Sequence, residues 1–169
     1  MEETASYPCP HCGYLHQKQA AQSYALQPGT ILHGKYLIGS MLGQGGFGIT
    51  YLGWDRNLAI PVAIKEYYPT GVAMRKSLRD PGVVLCPGAE QAAFQSGRDR
   101  FLQEAKILAR NAHVTELVRV HHYFAENSTA YMVMEYVQGI TLREYIARRG
   151  GRMPYRETLA LLRPVVTAL

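Results

Sequence analysis

An α+β architecture follows from three features of this 169-residue chain. Short runs rich in β-branched and aromatic residues, bounded by glycine and proline, recur between Tyr36 and Glu135. One stretch of helical spacing, Arg98 to Ala112, interrupts them. Helix-type patterning returns after Thr141 and runs to the C-terminus. The order is three strands, a helix, two strands, then helices, with a short head in front.

The elements read as follows. Residues 1–33 form a head with a Cys-Pro-His-Cys-Gly knot, a polar stretch from Gln17 to Gln27, then Pro28-Gly29, and no packed core is expected there. Tyr36-Leu37-Ile38 with Met41-Leu42 make a first strand and Ile49 to Trp54 a second. Pro61 to Lys65 is a short apolar third strand, its proline at the start, where a missing N–H does least harm. Residues 66–98 are punctuated by Pro69, Gly71, Pro81, Gly82, Pro87, Gly88 and Gly97, which reads as a long insertion or loop. On the helix from Arg98, residues Phe101, Leu102, Ala105, Leu108 and Ala112 share one face. Strands Leu117–Phe124 and Thr129–Glu135 follow, joined by a turn at Glu126-Asn127-Ser128. Thr141 with Glu144 is a capping box opening a short helix that Gly150-Gly151 ends, and Pro154 opens the last helix.

Composition excludes several classes. With 47% hydrophobic residues the chain is too apolar for disorder, and three cysteines are too few for a disulfide scaffold. The net charge of +5 suits a nucleotide, nucleic acid or acidic lipid and decides among none of them. Residues 1–8 are acidic and polar, without the apolar run of a secretory signal, so a reducing cytoplasmic compartment is expected. The uncharged stretch Tyr36–Trp54 approaches membrane-span length, but its glycines favour a hairpin over a spanning helix, and no membrane span is expected.

The chemistry lies in a loop and a strand. Gly43-Gln44-Gly45-Gly46-Phe47-Gly48 fits G-x-G-x-x-G, a string shared by unrelated phosphate-binding devices. The dinucleotide-binding form needs a helix next, whereas Ile49-Thr50-Tyr51-Leu52 is strand-like. No Lys-Ser or Lys-Thr follows Gly48, so the Walker A form fails too. A glycine hairpin over a nucleotide's phosphates remains, beside the plainer reading of a tight hairpin.

Val62-Ala63-Ile64-Lys65 on the next strand, then Glu104 in Phe101-Leu102-Gln103-Glu104-Ala105, complete a set in fixed order. With Tyr131-Met132-Val133-Met134-Glu135-Tyr136-Val137 the chain resembles the small lobe of a protein kinase running into its hinge. The resemblance spans residues 34–169 and is strongest to bacterial Ser/Thr kinases, on the run Val62 to Pro69. It implies a five-stranded antiparallel sheet plus one helix over residues 34–137, carrying the insertion 66–98. The start of the large lobe would occupy residues 138–169. It further implies that ATP is bound, with Lys65 on its α/β-phosphates and Glu104 directing Lys65. Adenine would lie under Leu42, Thr50 and Ala63, with Val118 and Met134 behind it. The backbone of Glu135 and Val137 would meet its polar edge. Met134 would be the gatekeeper, and Leu108 and Val120 part of the packed column joining helix to sheet. Each of these apolar residues also fits a plain core. Thr50 departs from the family's usual valine, and the insertion lengthens the interval between Lys65 and Glu104.

A kinase also needs an aspartate as base and another for Mg²⁺. The chain's aspartates are Asp55, Asp80 and Asp99, all before the hinge, and neither His-Arg-Asp nor Asp-Phe-Gly occurs. The expectation is the front half of a kinase that transfers phosphate to protein hydroxyls only in a longer protein. The alternative is a kinase-derived, non-catalytic nucleotide-binding or interaction module. Cys9 and Cys12 have the spacing of half a zinc ribbon, with free thiols on a tail as the alternative. No nucleic-acid motif accompanies the charge, so no nucleic-acid partner is expected.

Overall fold

The computed structural model describes residues 24–168. Eight strands and three helices occur in the order β1 (Ile31–Leu32), β2 (Tyr36–Gly45), β3 (Gly48–Asp55), β4 (Ile60–Tyr67), β5 (Ala73–Arg75), β6 (Val83–Leu85), α1 (Gln91–Arg110), β7 (Val120–Glu126), β8 (Thr129–Glu135), α2 (Leu142–Arg148) and α3 (Tyr155–Ala168). The main sheet runs β1-β2-β3-β4-β8-β7, and every neighbouring pair is antiparallel. β5 and β6 form a separate two-stranded sheet.

Each expected strand is present, although β2, β3 and β4 run longer than expected and β7 begins at Val120 rather than Leu117. Five strands were expected and the sheet has six, because Ile31 and Leu32 pair with Leu37 and Tyr36 of β2. The expectation of no core before Lys35 fails for the described part of the head. Ala25, Leu26 and Leu32 are buried in the same cluster as Tyr36, Tyr51 and Ile64. The insertion is a folded hairpin rather than a loop, since Ala73 pairs with Leu85 and Arg75 with Val83. Helix α1 begins at Gln91, not Arg98, and its first two turns bury Phe94 as its middle buries Phe101 and Ala105.

Local chemistry explains these elements. Asn127 and Ser128 both take left-handed conformations (φ 55° and 61°), which suits a two-residue hairpin between Glu126 and Thr129. Glu144 N donates to Thr141 Oγ1 (3.2 Å) and Thr141 N to Glu144 Oε2 (2.7 Å), the expected capping box of α2. Leu161, Leu162, Val165 and Val166 of α3 are exposed. Among the described residues no helix is long and apolar enough to cross a membrane.

The sheet has two unlike faces. Strand alternation places Val62, Ile64 and Glu66 on one face and Ala63, Lys65 and Tyr67 on the other. Helix α1 packs on the Lys65 face, where the Tyr67 ring lies tilted against Phe94 and Phe101 (ring centroids 5.2 and 5.9 Å). Residues 24–32 and the β5–β6 hairpin cover the Glu66 face.

Candidate nucleotide site

Register assembles the site from three strands. Thr50 lies opposite Lys65 and Lys65 opposite Met132, while Leu52 lies opposite Ala63 and Ala63 opposite Met134. The two rows share a face, so Thr50, Ala63, Lys65 and Met134 line one surface. Ala63 is buried, and Met134, near the end of β8, is partly buried.

The glycine hairpin overhangs that surface. Gly43 pairs with Thr50 and Gly45 with Gly48, leaving Gly46-Phe47 as the tip. Leu42 sits at an irregularity of β2 between Met41 and Gly43, and is exposed together with Gln44, Gly45, Gly46 and Phe47. A Cβ on Gly48 would stand 2.2 Å from the Glu66 carbonyl oxygen, so only glycine lets this hairpin lie so close across β4. Two backbone bonds hold the tip: Tyr68 N donates to Phe47 O and Thr70 N to Gly46 O, each 3.1 Å.

Lys65 Nζ is 3.5 Å from Glu104 Oε1 and 5.6 Å from the Phe101 ring centroid. The insertion therefore does not prevent the pairing. It is absorbed into the β5–β6 hairpin and the extra turns of α1. Both side chains keep solvent access (33% and 54% exposed), so the pair contributes little stability and its value is directional. Val118 is half-buried just before β7, with Val120 buried and Leu108 partly buried. Glu135 N donates to Arg119 O (2.9 Å) and the Glu135 carboxylate accepts from Arg119 N (2.9 Å), which ties the end of β8 to the segment before β7. Val137 is exposed.

The aspartates serve other purposes. Burial raises the Asp55 carboxyl, but N–H donors from Leu58 and Asn57 and the Lys35 ammonium outweigh it and hold it below the usual carboxylate range. Asp80 accepts from Gly82 N (2.8 Å), and Asp99 lies 3.8 Å from Arg98. Among the described residues no group of three His, Cys, Asp or Glu is arranged to hold a metal. Cys9 and Cys12 lie outside the described residues, and Cys86 is a half-buried free thiol.

The sequence reading missed one cluster. Glu66, fully buried behind Lys65, accepts from Tyr51 Oη (2.8 Å), from Tyr131 Oη (3.0 Å) and from the Arg75 guanidinium. Burial pushes the Glu66 carboxyl up, against the pull of Arg75 and the two phenols, while Glu66 in turn favours the charge on Arg75. Three donors converge on this carboxylate, and the Arg75 guanidinium faces it directly, so neither buried group lacks a partner. The alternation Val62, Ile64, Glu66 was the available sign that this glutamate points into a core.

Comparison with known proteins places the fold in a family. Residues 36–169 match the family described as protein kinase domain. The chain is 29% identical to the serine/threonine-protein kinase PknG of Mycolicibacterium smegmatis, over 95% of this chain and 18% of that protein. It is also 29% identical to the probable serine/threonine-protein kinase YbdM of Bacillus subtilis, over 80% of this chain and 44% of that protein. Among solved structures, PpkA-294 in its apo form superposes with a TM-score of 0.68 at 37% identity, covering 75% of this chain and 44% of that one. The M. tuberculosis PknI kinase domain gives a TM-score of 0.62 at 26% identity, over 85% and 49% of the two chains. The chain spans less than half the length of each of these relatives.

Proposed function

This chain belongs to the protein kinase family, and from that premise we propose that it forms the ATP-binding part of a bacterial-type Ser/Thr kinase. The observation that carries the reading is the approach of Lys65 Nζ to Glu104 Oε1, at 3.5 Å, beneath the glycine hairpin. Glu104 holds the ammonium toward the surface lined by Thr50 and Ala63, where it meets the α/β-phosphates. The hairpin from Gly43 to Gly48 covers the phosphates with backbone N–H groups. Adenine lies against Leu42, Thr50 and Ala63, with Val118 and Met134 behind it, and its polar edge meets the backbone of Glu135 and Val137.

The nucleotide fits these residues, whereas Mg²⁺ does not. Asp55, Asp80 and Asp99 are each engaged in local contacts. In a longer kinase the γ-phosphate passes to a protein hydroxyl, with the base and the Mg²⁺ ligands supplied by residues other than these.

A thermal-shift titration with ATP tests the reading. The wild-type chain should gain stability with nucleotide, and Lys65→Met should lose that gain while its melting without nucleotide stays close to wild type. An equal shift in both proteins would refute the phosphate site.

A further inference from the structure

The insertion touches both the phosphate-site hairpin and the segment that leads in from the N-terminal head. At its start, Tyr68 N and Thr70 N hold the hairpin tip through Phe47 O and Gly46 O. At its middle, Arg75 donates to Glu66, to Tyr24 O and to Pro81 O, and its guanidinium lies 5.1 Å from the Tyr68 ring centroid. The head segment also reaches the same carboxylate indirectly, through Tyr51. Leu26 N donates to Tyr51 Oη (3.1 Å), and Tyr51 Oη donates to Glu66. The strap of residues 24–32 also meets the insertion at Tyr24 and Tyr68 (ring centroids 6.4 Å), and a cavity of about 250 Å³ lies between Leu26 and Thr30 on one side and Leu78 and Pro81 on the other. Arg75 is a buried side chain that joins the strap, the insertion and β4 at one point.

We propose that Arg75 is a positioning residue that couples the N-terminal strap to the phosphate site. Through Glu66 it sets the end of β4 that carries Lys65, and through Tyr68 it sets the segment that holds the glycine hairpin. Docking of the strap thus tightens the nucleotide site, and release of the strap loosens it. Two rigid links make this coupling specific: Lys65 and Glu66 are adjacent in one strand, and Tyr68 bears on Arg75 with its ring and on Phe47 with its N–H.

The inference rests on the nucleotide reading, and its test separates the two. The full chain is compared with E66Q/R75M, which leaves no buried unpaired charge, and with R75K, which keeps the charge but not the planar fork. Amide exchange at Tyr68 and Thr70 and the affinity for ADP are measured where each variant is folded by circular dichroism. Exchange at those two amides should quicken about tenfold in E66Q/R75M. ADP affinity should fall about fivefold, with R75K between wild type and the double variant. A lowered melting temperature with unchanged exchange at Tyr68 and Thr70 would show a merely structural pair and overturn the proposal. If wild type binds no ADP, the nucleotide reading fails while the exchange measurement still decides the coupling. If E66Q/R75M does not fold, the R75K exchange and affinity values decide it by the same criteria.

Discussion

Gly97 sits in the middle of α1, the helix that carries Glu104, where alanine would ordinarily be favoured by about 1 kcal/mol. Here a Cβ would stand 2.1 Å from Tyr67 Oη and 3.0 Å from Cζ. The ring has little room to retreat, being 6% exposed and flanked by Phe94 and Phe101. Overpacking of this kind costs about 1–3 kcal/mol, which outweighs the propensity gain. Gly97→Ala should therefore destabilise by about 1 kcal/mol net, a fall of roughly 3 °C in melting temperature. In a Tyr67→Phe background the struck oxygen is gone and the Cζ contact needs only a few tenths of an ångström of yielding. There the same substitution should be neutral or stabilising by up to about 1 kcal/mol. Urea denaturation of the four proteins in this cycle gives the coupling directly. Stabilisation by Gly97→Ala in the wild-type background, or equal effects in both backgrounds, would refute the packing argument.

Gly48→Ala drives a Cβ to 2.2 Å from a backbone oxygen and should destabilise by about 1–3 kcal/mol in urea titration. Gly46→Ala meets nothing within 4 Å and should change stability by less than about 0.5 kcal/mol. His122, its Nδ1 3.1 Å from Tyr36 Oη, is held below its ordinary value of 6.5 by burial, then by His33 and Lys35. The fold therefore prefers neutral His122, so its contribution is full above about pH 6.5 and declines as pH falls through that value. The urea midpoint should drop less steeply between pH 6.5 and 5 in His122→Phe than in wild type, and parallel profiles would contradict this.

Several elements of the fold and of the candidate site were legible because their signals are local. The glycine hairpin, the Val62–Lys65 strand, the Asn127-Ser128 turn and the Thr141–Glu144 box each act within a few residues, so composition and spacing reveal them. What escaped depends on distance or on a compromise. Ile31-Leu32 is too short to show a strand period, and only pairing with β2 defines it. The first turns of α1 were hidden by Gly97, a poor helix residue kept for the ring beneath it. Arg75 reads as one basic residue in a punctuated segment, and its meaning comes from Glu66 and Tyr24, brought to it by the fold. Its burial is a tertiary fact with no periodic trace.

The central claim is that ATP binds between the glycine hairpin and Lys65. The most direct measurement is an ADP titration of the isotope-labelled chain, followed by amide chemical shifts. Shifts should concentrate at Gly43–Gly48, Ala63, Lys65, Glu135 and Val137, and vanish in Lys65→Met. An absence of saturable shifts, or shifts confined to the Glu66 face, would contradict the account.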